Sequence, residues 1–299
     1  MDTDWDQATP THILTVPPGT DNDTAEPWVR TAILDSESNR VFLTDATNTS
    51  VKVIPLASPY DISEVNLDTM PWGLALVPTQ GEKLLAVTSM DYNVIHMIDV
   101  TADPTPTVVQ RIYTGRRYIG VDAFDDSRMV VSCCRDGRSD QPPSVDFFTL
   151  GGNVEGQAVT SQLLTELRDP RYLCVHGVHV YISDFENHCV YKADLSTGQL
   201  IDKLTHPQLQ SPCQVCTDHT GNLYVTSKEG RVLVRTRSGQ WRSVLEGRQH
   251  GEGVRTRPRC VVSVPDTELL VSWDKDVGGD SVLKGYHLGS SALRHFLST

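Results

Sequence analysis

The amino-acid sequence predicts an all-β protein, a six-bladed β-propeller in which every blade is a four-stranded antiparallel sheet. A unit of about 46 residues occurs six times in the 299-residue chain. The second predicted strand of each unit is a continuous apolar run, which is typical of strands covered on both faces, and no segment shows a sustained helical period. Four short strands fill a unit of this length, whereas a β-solenoid has shorter repeats and a pair of β-sandwiches would not repeat six times.

Each unit opens with Pro or Arg and a short apolar strand, which we assign to the innermost position of a blade. The openings begin at Pro27, Pro71, Arg117, Pro170, Pro212 and Pro258, with spacings of 44, 46, 53, 42 and 46 residues. The second strands cover residues 41–45, 84–89, 129–132, 180–184, 223–227 and 269–272, and they end in Ser, Thr or Asp. Because both faces of these strands are apolar, we expect each to lie between two neighbouring blades.

The remaining predicted strands become more polar toward the rim of the ring. Third strands are predicted at residues 51–54, 94–98, 190–193 and 232–234, and fourth strands at residues 108–112, 200–204 and 244–245. Residues 13–16 and 293–297 are both candidates for an outer strand that completes the last blade and removes an open sheet edge. We expect residues 1–10 to form an N-terminal tail and residues 11–299 to form a single propeller domain.

Composition excludes several classes of protein. The chain is 38% apolar and 21% charged, as ordinary folded proteins are. Its formal charge of −12 disfavours a protein whose main task is to wrap a nucleic-acid backbone. No run of 18 apolar residues and no signal peptide is present, so we expect a cytoplasmic protein without a membrane partner. Seven cysteines, an odd number scattered among strands, indicate reduced thiols rather than a disulfide framework.

The repeated pattern is Pro followed by apolar residues, with Gly two residues after the Pro only at Pro71–Gly73, then a turn, a second strand ending in Ser or Thr and Asp, and then Asn and Val. It is most complete in the fourth and first units. The matching residues are Pro170, Asp184 and Asn187 in the fourth unit and Pro27, Asp45 and Asn48 in the first. This pattern resembles the NHL repeat, and residues 11–299 resemble the NHL propellers at the C-terminus of tripartite-motif proteins.

That resemblance implies a platform that recognises proteins or RNA, such as the substrate-recognition part of a ubiquitin-ligase system. In the family the propeller is attached to a RING, a B-box and a coiled coil. The zinc modules need closely spaced Cys and His residues, and residues 1–26 contain no cysteine. The sequence therefore does not predict a zinc-dependent ligase activity for this chain.

Arginine and aromatic residues are concentrated at the starts of the predicted inner strands, which the fold would place on one face near the axis. Arginine binds carboxylates and phosphates with two hydrogen bonds, and aromatic rings provide rigid contact area. The predicted binding residues are Trp28, Arg30, Trp72, Arg116, Arg117, Tyr118, Arg168, Arg171, Tyr172, Arg255, Arg257 and Arg259. The alternative is internal ion pairing with acidic residues of neighbouring loops, namely Asp45, Asp91, Asp136, Asp184, Glu186, Asp274 and Asp276.

The cysteine pairs favour structural roles. Cys213 and Cys216 form a CxxC, but residues three apart on a strand point to opposite faces, so we expect core packing rather than a shared metal or a disulfide. Cys133 and Cys134 are adjacent at a strand end, where ordinary thiols are favoured over a redox switch.

The histidine pair and the predicted channel also lack the pattern of a metal site. Between His176 and His179, Gly177 indicates a tight turn. Related propeller lyases and lactonases place acidic, Asn and His ligands around the central channel, where a metal polarises the substrate. Among the corresponding positions here, only Asp122 supplies a carboxylate. We therefore expect no catalytic residue, no metal and no cofactor.

These observations together predict a non-catalytic binding module for a protein or peptide, acting through the face on which the inner strands start. Single-stranded RNA on the same arginine-rich and aromatic face is the first alternative, since it would combine charge with base stacking. A metal-dependent lactonase or lyase in the channel is the second alternative.

Overall fold

The computed structural model of the protein describes residues 11–79, 83–101, 106–134, 142–247, 249–250, 254–264, 268–275 and 281–288. These residues form six antiparallel sheets around a central axis, so the predicted six-bladed β-propeller is confirmed. The described residues contain one short helix, α1 (Ser161–Glu166). The predicted tail, residues 1–10, lies outside the described residues.

Five of the six blades have four strands in the order in which they follow along the chain. The chain begins with β1 (Thr11–Val16), and the first blade contains β2 (Val29–Asp35), β3 (Arg40–Asp45), β4 (Ser50–Pro55) and β5 (Ser63–Asn66). The second contains β6 (Pro71–Pro78), β7 (Lys83–Ser89), β8 (Val94–Asp99) and β9 (Thr107–Tyr113). The third contains β10 (Gly120–Ala123), β11 (Arg128–Cys133), β12 (Ser144–Thr149) and β13 (Val154–Gln157).

The remaining blades follow the same plan. The fourth contains β14 (Pro170–His176), β15 (His179–Asp184), β16 (Cys189–Asp194) and β17 (Leu200–Leu204), and the fifth contains β18 (Pro212–Thr217), β19 (Leu223–Ser227), β20 (Arg231–Arg235) and β21 (Trp241–Glu246). The sixth contains β23 (Val254–Val264), β24 (Glu268–Lys275) and β25 (Ser281–His287), and the short β22 (Gln249–His250) pairs with the start of β23. We call the face on which the inner strands start the upper face.

The N-terminal strand closes the ring. β1 pairs antiparallel with β25, from Thr11 opposite His287 to Val16 opposite Leu283, and so becomes the fourth strand of the last blade. At the axis, β2 of the first blade lies against β23 of the last. Residues 13–16 are thus the outer strand that the sequence offered as one of two candidates, and residues 293–297 lie outside the described residues.

Apolar side chains fill the interfaces between blades. On β3, Phe42 packs into a cluster with β6 and β7 of the second blade, whereas its neighbour Leu43 packs into a cluster with β23 and β24 of the sixth. Successive strand residues point to opposite faces, so one strand serves two interfaces. This explains the continuous apolar runs. Toward the rim polarity increases, and every residue of β13 is exposed.

Two departures from the predicted elements have local causes. The 53-residue spacing before the fourth blade includes α1, whose N-cap Thr160 accepts a hydrogen bond from the Leu163 amide and whose Leu163 is buried between blades. The third strand of the third blade, β12, was not predicted, because its buried Ser144 and Asp146 interrupt the apolar pattern.

A buried lysine stabilises the first blade. The side chain of Lys52 on β4 is fully buried, and its ammonium group bonds to the carboxylates of Asp23 and Glu64 and lies 3.9 Å from that of Asp45. Although burial alone would raise the pKa of Glu64, its hydrogen bond with Lys52 lowers that pKa below the ordinary value. The ammonium group of Lys52 therefore has the carboxylate partners that a buried cation requires.

Candidate functional site

A repeated backbone device shapes the upper face at the axis. The pairing of the first two strands of a blade is interrupted by a bulge near the start of the inner strand in five of the six blades. The shifts fall between Val29 and Ala32, Pro71 and Leu74, Pro170 and Tyr172, Pro212 and Val215, and Pro258 and Val261. A bulge redirects side chains locally, so each blade can present a residue to the axis.

A hydroxyl group on the second strand stabilises each bulge. In the second blade, the Thr88 hydroxyl accepts a hydrogen bond from the Gly73 amide at 2.9 Å and donates one to the Ile119 carbonyl of the next blade at 2.6 Å. Equivalent bonds to the following blade join Thr44 to the Trp72 carbonyl, Ser132 to that of Arg171, and Thr226 to that of Arg259. The Ser and Thr residues that end the second strands therefore link blades.

Glycine is required where inner strands approach most closely. A Cβ atom at Gly73 would lie 2.3 Å from the Ile119 carbonyl oxygen, and one at Gly120 would lie 2.7 Å from that of Arg171. Both contacts are with backbone of the next blade, which cannot rotate away. Gly73 and Gly120 thus mark close approaches of two inner strands.

The strand register identifies one equivalent residue in every blade. It immediately precedes the inner-strand residue whose backbone is hydrogen-bonded to the hydroxyl of the second strand. These six residues, which we call the axial ring, are Arg30, Trp72, Ile119, Arg171, Cys213 and Arg259. In the first blade, Val29 pairs with Asp45 as Pro71 pairs with Ser89. The first unit therefore begins two residues later than the Pro27 opening that the sequence pattern indicated.

Arg30 has the most unusual environment in the axial ring. Its guanidinium carbon lies 3.6 Å from the ring centroid of Trp72 and 4.4 Å from that of Trp28, and the residue is only 7% exposed. Burial lowers the pKa of Arg30 below its usual value. None of the described residues accepts a hydrogen bond from it, and its Nε atom is buried without a partner.

The other two arginines of the axial ring have acidic partners. Arg259 donates to Asp274 at 2.6 Å, and the Trp28 indole donates to the same carboxylate at 3.2 Å. Arg171 donates to Asp169 at 2.8 Å and lies over the Phe185 ring at 3.7 Å. All three arginines of the ring lower the pKa of the buried Cys213 thiol, which burial raises more strongly, so they surround this thiol.

The predicted residues that precede the inner strand of the third blade, Arg116, Arg117 and Tyr118, have internal contacts. Arg116 donates to the Ser144 hydroxyl at 2.6 Å and lies 3.7 Å from Asp146. Arg117 donates to the Met90 carbonyl at 2.7 Å. The Tyr118 hydroxyl donates to Asp146 at 3.0 Å, and burial raises the pKa of Tyr118.

The remaining predicted residues differ in position. Tyr172 is buried beside the axial ring, with Trp72, Ile119 and Cys213. Arg168 is exposed and its amide donates to Asp184. Arg257 is half-buried on β23, and the side chain of Arg255 lies outside what the structure describes. The predicted set is therefore brought together only in part, around Arg30.

Two of the acidic loop residues, Asp45 and Asp184, accept hydrogen bonds from backbone amides and Asn side chains instead of pairing with arginines. Asp45 accepts the Trp28 amide at 3.0 Å and the Asn48 side chain at 2.8 Å. Asp184 accepts the Arg168 and Asp169 amides and the Asn187 side chain. These Asp residues, with the Asn residues of the repeat, thus hydrogen-bond the backbone that precedes the inner strand, whereas Asp274 pairs with an arginine. Asp136 and Asp276 lie outside the described residues.

A groove on the upper face of the second blade was missed from the sequence. It encloses about 670 Å³ and is bordered by Tyr92 and Tyr113, which are 60% and 78% exposed. Arg111 and Asp68 form an ion pair of 3.3 Å in its wall. Tyr92 lies in the loop between β7 and β8 and Tyr113 ends β9, and the pairing of Val94 with Tyr113 brings them together. Their positions at strand ends on one face were the available signal.

The channel opens into a second cavity on the lower face. This cavity of about 300 Å³ is lined by inner strands of all six blades. Asp122 in its wall accepts the Val175 amide at 2.7 Å and the Ala123 amide at 2.8 Å, and burial raises the pKa of Asp122 to about 6. The Gln214 side chain crosses to the first blade, where its amide donates to the Ala32 carbonyl at 2.9 Å.

The histidine pair flanks a turn, and the cysteines lie in strands of the blades or next to them. Gly177, with φ of +61°, forms the predicted turn between β14 and β15, where His176 pairs with His179. Cys213 is buried and Cys216 half-buried, and all seven cysteines are free thiols. Among the described ranges, no group of three or more His, Cys, Asp or Glu residues is arranged to hold a metal ion.

Comparison with known proteins identifies the fold class. No family model matches the sequence, and no curated protein matches it. Solved structures do match. The luciferin-regenerating enzyme has 12% identity and a TM-score of 0.62, over 88% of this chain and 92% of that chain. The calcium-binding protein regucalcin from Agrobacterium tumefaciens has 15% identity and a TM-score of 0.61, over 91% and 93% of the two chains.

A chain of the nidogen–laminin complex is a further match, with 17% identity and a TM-score of 0.57 over 77% of this chain and 88% of that chain. At these identities the likeness concerns the fold alone. The protein is thus a six-bladed β-propeller similar in architecture to enzymes and to binding proteins. Of the helical segments described here, none is long and apolar enough to cross a membrane.

Proposed function

We propose that the protein is a non-catalytic binding module, similar to the NHL propellers of tripartite-motif proteins, that docks a protein partner on its upper face. The observation that carries the proposal is the pair of largely exposed tyrosines, Tyr92 and Tyr113, beside an open groove on the face that also holds the axial ring. Tyr, Trp and Arg dominate the binding energy of protein interfaces. Exposed apolar rings grouped at a groove are typical of such a surface.

The groove and the axial ring lie on the same upper face, and Met90 lies between them in the chain. Met90 immediately precedes the loop that carries Tyr92, packs against the cluster around Trp72 and accepts a hydrogen bond from Arg117. The inner and outer strands of a blade are three strand spacings apart, about 14 Å. A partner that occupies the groove can therefore also reach the axis.

Charge favours a protein over RNA. Binding of single-stranded RNA relies on a groove with excess positive charge and stacked bases. Here Arg116, Arg171 and Arg259 have a carboxylate within 4 Å, and the chain carries a formal charge of −12. Three of the arginines expected on this face are thus neutralised by neighbouring carboxylates.

The side chains around the channel also favour a binding role over a lactonase or lyase. At the upper mouth, the axial ring offers indole, guanidinium, thiol and aliphatic groups. At the lower cavity, both oxygens of Asp122 already accept a backbone amide. The nidogen–laminin complex is itself an assembly of proteins, and it shares this architecture.

The test is affinity purification with mass spectrometry, using tagged wild type and the double variant Tyr92→Ser, Tyr113→Ser. We expect the variant to lose partners that the wild type retains after RNase treatment. Tyr60→Ser is the matched control, since Tyr60 is 71% exposed in the loop between β4 and β5 on the lower face. Equal recovery by wild type and double variant, or partners that vanish with RNase, would contradict the proposal.

A further inference from the structure

Arg30 is a buried cation that lacks an acceptor. Taking a guanidinium out of water costs several kcal/mol unless hydrogen bonds replace the lost hydration, and buried polar groups are almost always bonded. Contact with Trp28 and Trp72 compensates in part, because a cation over an aromatic face is attracted to it. The aromatic rings provide no hydrogen-bond acceptor of the usual strength, so the buried Nε–H of Arg30 remains without an acceptor in the free protein.

Other stacked arginines of this protein show what is missing. Arg128 also lies against two rings, at 4.9 and 5.2 Å, but donates to the Asp125 carboxylate at 2.6 Å. Arg171 stacks on a ring and donates to Asp169. Arg40 stacks on Phe42 and donates to a backbone carbonyl at 2.6 Å. Each therefore combines a ring with an acceptor, and Arg30 has only the rings.

We propose that Arg30 is a binding residue for a carboxylate of the docked partner, a role that rests on the proposed protein-binding function of the upper face. The carboxylate would accept hydrogen bonds from the guanidinium at the centre of the axial ring. Planar carboxylates match the fork of an arginine. The Trp72 indole N–H, 6% exposed and also without a partner, is a second donor in the same contact group.

The charges around Arg30 favour a ligand with one negative charge. Arg171 and Arg259 are each paired with a carboxylate, so Arg30 is the one arginine of the axial ring whose positive charge is uncompensated. The exposed Lys228 lies over the same Phe185 ring as Arg171, at 5.5 Å. A single carboxylate neutralises the charge of Arg30. A phosphate dianion would bring a second negative charge near Asp169 and Asp274, where like charges repel.

A partner can supply the carboxylate in two ways, as its C-terminus or as an Asp or Glu side chain. The experiment separates them with two hexapeptide libraries, one with free and one with amidated C-termini, selected on the wild-type protein. Selected peptides are then titrated by fluorescence anisotropy. A C-terminal source gives binders only in the free library, whereas a side-chain source gives Asp or Glu at one fixed position in both.

We expect removal of the selected carboxylate, by amidation or by Glu→Gln or Asp→Asn, to weaken binding to wild type about tenfold or more. Arg30→Met should weaken binding of the acidic peptide as much as removal of the peptide carboxylate weakens binding to wild type. The Arg30→Met protein should then bind the peptides with and without the carboxylate equally well, as expected for coupled partners in a double-mutant cycle. Arg30→Lys should fall between the two. Arg128→Met is the matched control, because it removes a stacked arginine from the lower face, and it should bind as wild type does.

A second measurement does not depend on the library. Potassium acetate should produce a saturable change of tryptophan fluorescence in wild type that potassium chloride at equal ionic strength does not, and Arg30→Met should abolish it. Peptides that need Tyr92 and Tyr113 but no carboxylate would overturn the role of Arg30 and leave the proposed function standing. An absence of both enriched peptides and an acetate response would overturn the role of Arg30 as well.

Discussion

The hydroxyl of Thr88 should contribute substantially to stability, because it joins two blades. It accepts a hydrogen bond from the Gly73 amide and donates one to the Ile119 carbonyl of the next blade, and the residue is fully buried. Thr88→Val keeps the volume of the side chain and removes only the hydroxyl. Both backbone groups then remain buried at a bulge, where strand pairing provides no other partner.

The expected loss follows from these two bonds. An unsatisfied buried donor or acceptor costs about 1–3 kcal/mol and two are left here, so Thr88→Val should lower the free energy of unfolding by about 2–6 kcal/mol. Unfolding entropy is about 2.1 cal/mol/K per residue, or about 0.6 kcal/mol/K for the 299 residues. The variant should therefore melt about 3–10 °C below wild type.

Differential scanning calorimetry and urea denaturation measure this effect. Thr88→Ser retains the hydroxyl and should lose about 1 kcal/mol through the missing methyl group. Thr107→Val makes the same chemical change at an exposed position on β9, where we expect a shift within about 0.5 kcal/mol. If Thr88→Val unfolds at the same midpoint as Thr107→Val, the hydroxyl does not join the blades in the way described.

Three further predictions concern buried ionisable groups. Lys52→Met should destabilise the protein by about 3–5 kcal/mol at pH 7, since it leaves carboxylates buried without a cation. The difference in the free energy of unfolding between wild type and variant should become smaller on acidification. The reason is that the stability gained from the lowered pKa of Glu64 is lost as that group protonates. Asp122 has a folded pKa of about 6, above its unfolded value, so wild-type stability should fall between pH 4 and 7 relative to Asp122→Asn, by at most about 3 kcal/mol in urea midpoints. Burial raises the pKa of the Cys216 and Cys260 thiols to about 12, so mass spectrometry should show iodoacetamide labelling at pH 7.5 at least about tenfold slower in the native protein than in urea.

The fold could be predicted because the second strand of every repeat is buried on both faces and is therefore apolar at successive positions in the sequence. A strand such as β3 must be apolar on both faces to serve two interfaces, and six such runs at one spacing specify six blades. The same reasoning missed β12, where buried Asp146 replaces an apolar residue and finds its partners at Tyr118 and Ser144. A buried polar group satisfied by distant residues leaves no periodic signal.

The candidate site was predictable in position and less so in chemistry. Placement at strand starts was sufficient to bring Arg30, Trp28 and Trp72 to the axis. Which arginine lacks a partner depends on distances across the fold, since Asp274 reaches Arg259 only through the pairing of β23 with β24. The sequence alone suggests that Arg171→Glu would alter only the charge of the surface. In the structure this substitution would place a glutamate beside Asp169.

The bulges and hydroxyl bridges separate the stability of the ring from its specificity. These contacts use backbone amides and carbonyls, so they do not depend on which side chain occupies the axial ring. An indole, an aliphatic chain, a thiol and guanidinium groups all occupy equivalent positions in the same frame. Because a desolvated guanidinium without an acceptor opposes folding, Arg30→Met should be neutral or stabilising by thermal melting. The place of Arg30 at the centre of the upper face is then accounted for by the carboxylate that we propose it binds and not by a contribution to the stability of the ring.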